Sequence, residues 1–289
     1  MHPAPSVIVF SVFSGLGFGL LAFLGAGLVH PYGWAAFALW GLGYGLAIIG
    51  LLASTFHLGN PQRALLAFTQ WRSSWLSREA WASVATLLIL APVALSDWLQ
   101  LGWPRGIGAV GGAMALVTVF TTAMIYTQIK AVPRWHHWLT PVMFLGFAVT
   151  GGAILAGQSF AIWLLIALAG ILLAVWHVGD GQFARAAQTL GTATGLDRIG
   201  AVTVFEQAHT AENYLLREMI FVVGRKHADK LRVIALGLVV GIPVLVLVLF
   251  SGPWAYAVAG LCQMIGALVA RWLFFAQAEH VVGLYYGKR

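Results

Sequence analysis

Eight apolar runs constrain this chain more than any other feature; they cover roughly residues 7–29, 35–56, 80–99, 107–129, 141–157, 160–176, 231–250 and 254–277. A helix needs about 20 residues to cross the hydrocarbon core of a bilayer, and every run approaches that length. The residues between the runs cannot coat a water-soluble globule. Only 9% of the 289 residues are charged, where a soluble domain carries roughly 25%. The expected fold is an all-α membrane protein. It is a bundle of about eight transmembrane helices with short loops and one long polar, partly helical segment after the sixth, at residues 177–230. The whole of residues 1–289 reads as a single integral membrane domain. The fifth and sixth runs are short and only Gln158 and Ser159 part them, so one bent helix is the alternative there. Gly15, Gly17 and Gly19 in the first run, and Gly41, Gly43 and Gly45 in the second, suit close helix packing more than ligand chemistry.

The distribution of charge says more than its sum. A net charge of +7 can signal nucleic acid, but here the basic residues are scattered over short loops between spans. They read as topology signals facing lipid headgroups or a partner. With eight spans, both termini and the loops after spans two, four and six share one face. Fourteen of the sixteen Lys and Arg residues fall there, against Arg105 on the other face and Arg271 within the last span. The positive-inside rule makes that face cytoplasmic, in a bacterial inner (cytoplasmic) membrane. Cys262 is the sole cysteine, so the chain has no intrachain disulfide and no cysteine-held iron–sulfur or zinc site of its own. No basic residue precedes the first apolar run, which argues against a cleaved signal peptide. Within the polar segment, residues 210–219 alternate apolar and charged side chains at helical spacing. A helix lying on the membrane and a platform for a partner fit that pattern equally.

Few residues could carry chemistry. His57 ends the second span and Glu79 begins the third. An ionisable group at a membrane boundary is costly to desolvate, so it is usually paired or used. A His and a Glu beside one pocket could hydrogen-bond a quinone and exchange its protons. The plainer readings are that Glu79 favours the helix dipole or pairs with Arg72 or Arg78, and that His57 caps a helix. Arg63 could hold a loop carboxylate, a lipid phosphate or a partner. Tyr126 could hydrogen-bond a quinone, although interfacial Tyr is common without function. His177, His209 and His280 raise the question of haem b; His177 and His280 lie near span ends on one face, which makes a haem between them conceivable. No span holds paired internal histidines, so haem is the minority reading. Arg271 is expected to form an ion pair or polar contact near Glu279 and His280, with a quinone-site role the minority reading.

The run His57-Leu58-Gly59-Asn60-Pro61-Gln62-Arg63-Ala64, the entry Leu76-Ser77-Arg78-Glu79, and Val132-Pro133-Arg134-Trp135 leading to Trp138-Leu139-Thr140-Pro141 resemble the DmsC-type membrane anchors of molybdopterin oxidoreductases, nearly end to end. The resemblance implies an eight-helix, quinone-binding anchor (ubiquinone or menaquinone). It implies two soluble partners: a molybdopterin catalytic subunit and a ferredoxin-like subunit with four 4Fe–4S clusters. The family's quinol-site carboxylate falls on Glu79 and its histidine on His57. Arg63, Arg72, Arg78 and Tyr126 are the further residues expected to shape the site or the docking surface; no metal ligand is assigned to this chain. Because the terminal face is basic, the branch that the sequence most resembles is the one with cytoplasmic catalytic subunits that oxidise sulfite. A quinol-oxidising anchor of a dimethyl sulfoxide-type reductase is the alternative, and a transporter the remote one.

Overall fold

The computed structural model of the protein describes residues 1–56, 60–206, 214–220 and 226–286. Among them no strand occurs. Seven helices are long and apolar enough to cross a membrane: α1 (Pro5–Gly25), α2 (Gly33–Thr55), α3 (Trp75–Leu99), α4 (Gly106–Thr127), α6 (Ala161–Arg185), α7 (Ala228–Leu249) and α8 (Pro253–Ala276). Between α4 and α6 lies the shorter α5 (Leu139–Leu155), whose 17 residues are at the lower limit for a span. The eight helices follow the eight apolar runs. The fifth and sixth runs form two helices, parted by a turn in which Gly157 adopts φ 67°, the left-handed conformation that glycine takes at a helix end without steric cost.

α6 continues through the polar sequence after Trp176 as far as Arg185. The reason is packing: Trp176, Gly179 and Phe183 are buried, and their spacing keeps an inward stripe on the helix while its other faces turn polar. α7 contains a π-helical turn at Gly237–Gly241. There the backbone of Val239 comes so close to Gly266 of α8 that a Cβ on the glycine would stand 2.6 Å from Val239 N.

α1 is the hub of the bundle, with 83% of its apolar window buried. Lipid tails are as apolar as leucine, so helices in a bilayer associate through close packing rather than through the hydrophobic effect. Glycines make that approach possible here. A Cβ at Gly19 would collide with Ala148 O of α5, one at Gly17 would collide with Ala47 N of α2, and one at Gly25 would lie 2.7 Å from Gly108 O of α4. Gly15, Gly41 and Gly45 have open space instead, so half of the six early glycines serve no close contact. α2, α6 and α7 are the outer helices, with 28%, 28% and 17% of their windows buried.

Hydrogen bonds identify the two ends of the bundle. At one end the Met1 ammonium donates to Ala278 O (2.7 Å), Val281 N–H donates to Ala131 O (2.9 Å), and Trp135 Nε1 donates to Phe274 O (2.9 Å). The N-terminus, the loop after α4 and the segment after α8 therefore share this basic end. At the other end Arg105 Nη2 donates to Leu24 O (3.1 Å) and Gln158 Nε2 to Leu28 O (3.3 Å), which joins the loops after α1, α3 and α5. Short helices at Leu190–Thr194 and Tyr214–Met219 belong to the polar segment and bond to the basic end, through Tyr285 Oη to Ala193 O (2.9 Å) and His2 N–H to Glu218 O (2.7 Å). Residues 210–213 of the expected amphipathic stretch lie outside the described residues, as do His209, Arg225, Lys288 and Arg289.

Candidate functional site

The head of α3 is held by serines. Ser74 caps the helix, accepting from Ser77 N–H. Ser77, buried at 1% exposure, donates to Ala67 O and accepts from Gln70 N–H at 3.1 Å. Trp81 Nε1 donates to Phe68 O (3.0 Å). Together these bonds fasten the 3-10 turn Pro61–Phe68 against the first turns of α3, two residues from Glu79. Arg78 completes the loop by donating to Trp71 O (3.0 Å) and Arg72 O (2.7 Å), with its guanidinium over the Trp75 ring.

Glu79 points the other way, into the bundle, at 5% exposure. Among the described residues its carboxyl group has one hydrogen bond, from Thr122 Oγ1 of α4 at 2.7 Å. The same hydroxyl lies 3.0 Å from Thr118 O. That geometry satisfies both protonation states of the acid. The ionised carboxylate accepts from Thr122. The neutral acid can donate to Thr122, which then donates to Thr118 O. Deeper in the bundle Thr118 Oγ1 and Thr86 Oγ1 are 3.2 Å apart, and above them the fully buried Leu90 lies against Gly111. The polar ladder between α3 and α4 thus begins at Glu79, in the first turns of α3, and stops at an apolar plug.

Next to Glu79 stands an aromatic cage. Tyr126, at 8% exposure, packs its ring against Trp135, Phe144, Phe274 and Phe275 at centroid separations of 5.5 to 5.6 Å. Tyr126 lies one turn along α4 from Thr122, the residue that holds Glu79. Arg271 of α8 is itself buried at 2% exposure, with its guanidinium 3.4 Å from the centre of the Phe144 ring.

The family model for the DMSO reductase anchor subunit (DmsC) matches residues 6–275. The chain belongs to the DmsC family. It is 29% identical to the C subunit of the sulfite dehydrogenase of Allochromatium vinosum, over 99% of each sequence. It is also 29% identical to the C polypeptide of the anaerobic dimethyl sulfoxide reductase of Escherichia coli, over 43% of this sequence and 42% of that one. A third relative, the anaerobic dimethyl sulfoxide reductase polypeptide YnfH of the same bacterium, is 31% identical over 37% and 39%. No solved structure gives a significant match.

Within this DmsC-family protein, the structure brings Glu79 and Tyr126 together and leaves the loop arginines outside. Arg63 and Arg72 are exposed, and Arg78 is engaged on loop carbonyls. None of the three forms an ion pair with Glu79 among the described residues, so the pairing considered from sequence is absent there. His57 lies outside the described residues. Arg271 makes no ion pair or hydrogen bond with Glu279 or His280 among the described residues; the aromatic faces of Phe144 and Phe147 take that place. His177 is exposed on α6, and His280 Nδ1 accepts from Val282 N–H at 3.0 Å. Among the described residues no cluster of three or more His, Cys, Asp or Glu could hold a metal ion. Thr122 and Phe144 are site residues that sequence reading passed over, since a threonine and a phenylalanine inside apolar spans carry no signal of their own.

At the basic ends of α6 and α7, Asp180 ties the bundle together, accepting from Arg134 (3.0 Å) and from both terminal nitrogens of Arg232 (2.9 and 2.5 Å). Arg134 also donates to Gln277 Oε1 (3.1 Å). Burial lowers its pKa, with Asp180 opposing the shift. Burial also lowers the His137 pKa, helped by Arg185 and His136, and lowers that of His280, helped by the N-terminal ammonium.

Proposed function

We propose that this DmsC-family protein is the quinone-binding membrane anchor of a molybdopterin and iron–sulfur oxidoreductase, and that it passes electrons from sulfite oxidation to the quinone pool. The observation that carries the reading is Glu79. It is a buried carboxyl group at the entrance of a span, held by a hydroxyl that suits both of its protonation states. The chemistry also fits: aromatic walls accept a flat ring, and the polar groups beside them accept its oxygens. In the partner, sulfite and water give sulfate, two protons and two electrons. Here, quinone takes two electrons and two protons to become quinol. Glu79 hands a proton to a ring oxygen and regains one from the basic end, and His57 orients the ring. The polar ladder stops at Leu90, so protons enter and leave on one side and the anchor moves no charge across the membrane.

The basic end, on the positive-inside rule, faces the cytoplasm. It docks a ferredoxin-like subunit with four 4Fe–4S clusters, which carries the molybdopterin catalytic subunit. Exposed Ile199 and Phe205 on the polar segment offer apolar contacts for that docking. Sulfite is preferred because the sulfite dehydrogenase relative matches over the full length. The partial matches to the two dimethyl sulfoxide reductase polypeptides favour the second reading, a quinol-oxidising anchor of a reductase.

The deciding experiment purifies the protein from its native membrane in mild detergent and identifies its companions. A molybdenum subunit without an export signal, an iron–sulfur subunit, and sulfite-dependent reduction of an added short-chain quinone are expected. A molybdenum subunit bearing a twin-arginine signal moves the assignment to the reductase. A protein that purifies alone sinks both.

A further inference from the structure

Arg271 is the buried charge with the fewest partners among the described residues. A guanidinium carries five N–H donors and no acceptor, and burying it is costly unless acceptors meet those donors. Arg105, Arg134 and Arg232 each reach a carboxylate. Arg271 reaches none among the described residues, and its Nη1 is enclosed without any hydrogen-bond partner. The π faces of Phe144 and Phe147 attract the cation but present no oxygen to it.

The second observation is what stands beside it. Tyr126 stands one helical turn from Thr122, the partner of Glu79, and its ring packs 5.6 Å from Phe144, over which the Arg271 guanidinium lies; its hydroxyl makes no hydrogen bond with a described residue. Three helices, α3, α4 and α8, therefore bring a proton-exchanging acid, a phenol and a cation to one aromatic-walled region at the basic end, each with hydrogen-bonding capacity left over.

We propose that Arg271 is the second pole of the quinone site, donating to the ring oxygen opposite the one that exchanges its proton with Glu79, with the Tyr126 hydroxyl alongside. This rests on the quinone reading above and extends it to a residue on the last helix. The two poles differ in kind. A guanidinium is a fixed charge at neutral pH and does not deliver protons. Arg271 therefore binds and orients, and favours negative charge arriving on the ring in a low-dielectric setting, while Glu79 supplies the proton to its own ring oxygen and the Tyr126 hydroxyl passes the second proton to the opposite one, regaining it from the basic end.

The test uses the whole complex with Arg271→Gln, Arg271→Lys and Glu79→Gln. Sulfite-dependent reduction of a soluble dye that takes electrons from the iron–sulfur partner reports assembly, and turnover with a short-chain benzoquinone or naphthoquinone reports the site. Arg271→Gln is expected to raise the quinone KM about tenfold or more with the pH profile of kcat and the dye rate unchanged. Glu79→Gln is expected to lower kcat and alter that profile. An unchanged KM in Arg271→Gln, with Glu79→Gln inactive toward quinone, overturns the role of Arg271 and leaves the quinone site standing. Quinone turnover unaffected by either change removes the quinone reading and this inference with it. Should Arg271→Gln prevent assembly, Arg271→Lys decides. It keeps the charge and loses the planar fork, so a several-fold rise in KM is expected, and a wild-type KM overturns the proposal.

Discussion

At the sparsely charged end of the bundle, Asp97 accepts from Arg105 and from Trp40 Nε1 (3.0 Å), and Arg105 carries on to the Leu24 carbonyl. One carboxylate and one guanidinium thereby tie α1, α2 and α3 to the head of α4, and only Arg105 Nε is left without a partner. At the basic end, Glu79, Tyr126 and Arg271 are buried as deeply or more so, yet one threonine hydroxyl and several aromatic faces are all they meet among the described residues. A buried ionic cluster that is complete within the chain serves the fold. One that is left incomplete keeps its capacity for something that binds, at a cost in stability.

Changes at the two ends should therefore separate function from stability. Glu79→Gln should reduce quinone-linked turnover by about 100-fold or more, the usual scale for a lost acid–base group, while dye-linked turnover and the unfolding midpoint in detergent stay close to wild type. Asp97→Ala should do the reverse. It should leave the quinone KM alone and lower stability by about 2–3 kcal/mol, as expected when one partner of a partly buried ion pair is removed; a denaturant titration in detergent reads this directly. If the quinone KM moves and stability does not, the contrast between the ends is wrong. Ser77→Ala is the intermediate case, since it cuts the bonds that fasten the 3-10 turn to α3. It should cost about 1 kcal/mol and loosen the loop beside Glu79, measurable as faster proteolysis at residues 61–74. The smallest effect is one of pH. His137 and His280 have lowered pKa values in the folded chain, so their neutral forms suit the fold. The unfolded chain binds protons first as pH falls through the ordinary histidine range near 6.5. Stability contributed by these two residues is complete above that range and is lost as pH drops below it. Replacing both by Gln should flatten the slope of the unfolding midpoint between about pH 7 and pH 5; an unchanged slope would assign it to other groups.

How much of this could be read from the sequence depends on whether a feature is local. The eight helices were legible because each span is a contiguous apolar run. The close packing of Gly17, Gly19 and Gly43 was legible as a tendency, since small residues in a span signal helix approach. Their partners Ala148 and Ala47 were not, because nothing in a single sequence gives the register of one helix against another. α6 runs nine residues beyond its apolar stretch on the strength of Gly179 and Phe183, two inward residues among polar ones. Glu79 could be singled out because an acid at a span boundary is conspicuous. Thr122, which holds it, lies 43 positions away in a span where threonine is unremarkable. Arg271 shows both sides: its presence in a span was obvious, whereas the expected polar neighbours gave way to Phe144 and Phe147 because that position of α8 faces α5, which hydropathy does not record.

The burial of α1 has a consequence for how the protein is made. Of the eight helices, α1 leaves the ribosome before the seven that pack around it, and its groove at Gly19 waits for Ala148 and Gly152 of α5, about 130 residues later in the chain. At a synthesis rate of roughly 5–20 residues per second, that surface stays open to lipid, or to any other helix passing through the insertion machinery, for on the order of ten seconds. Biogenesis therefore has a timed vulnerability between the insertion of α1 and that of α5, and whatever shields α1 during that interval matters to the yield of the finished anchor.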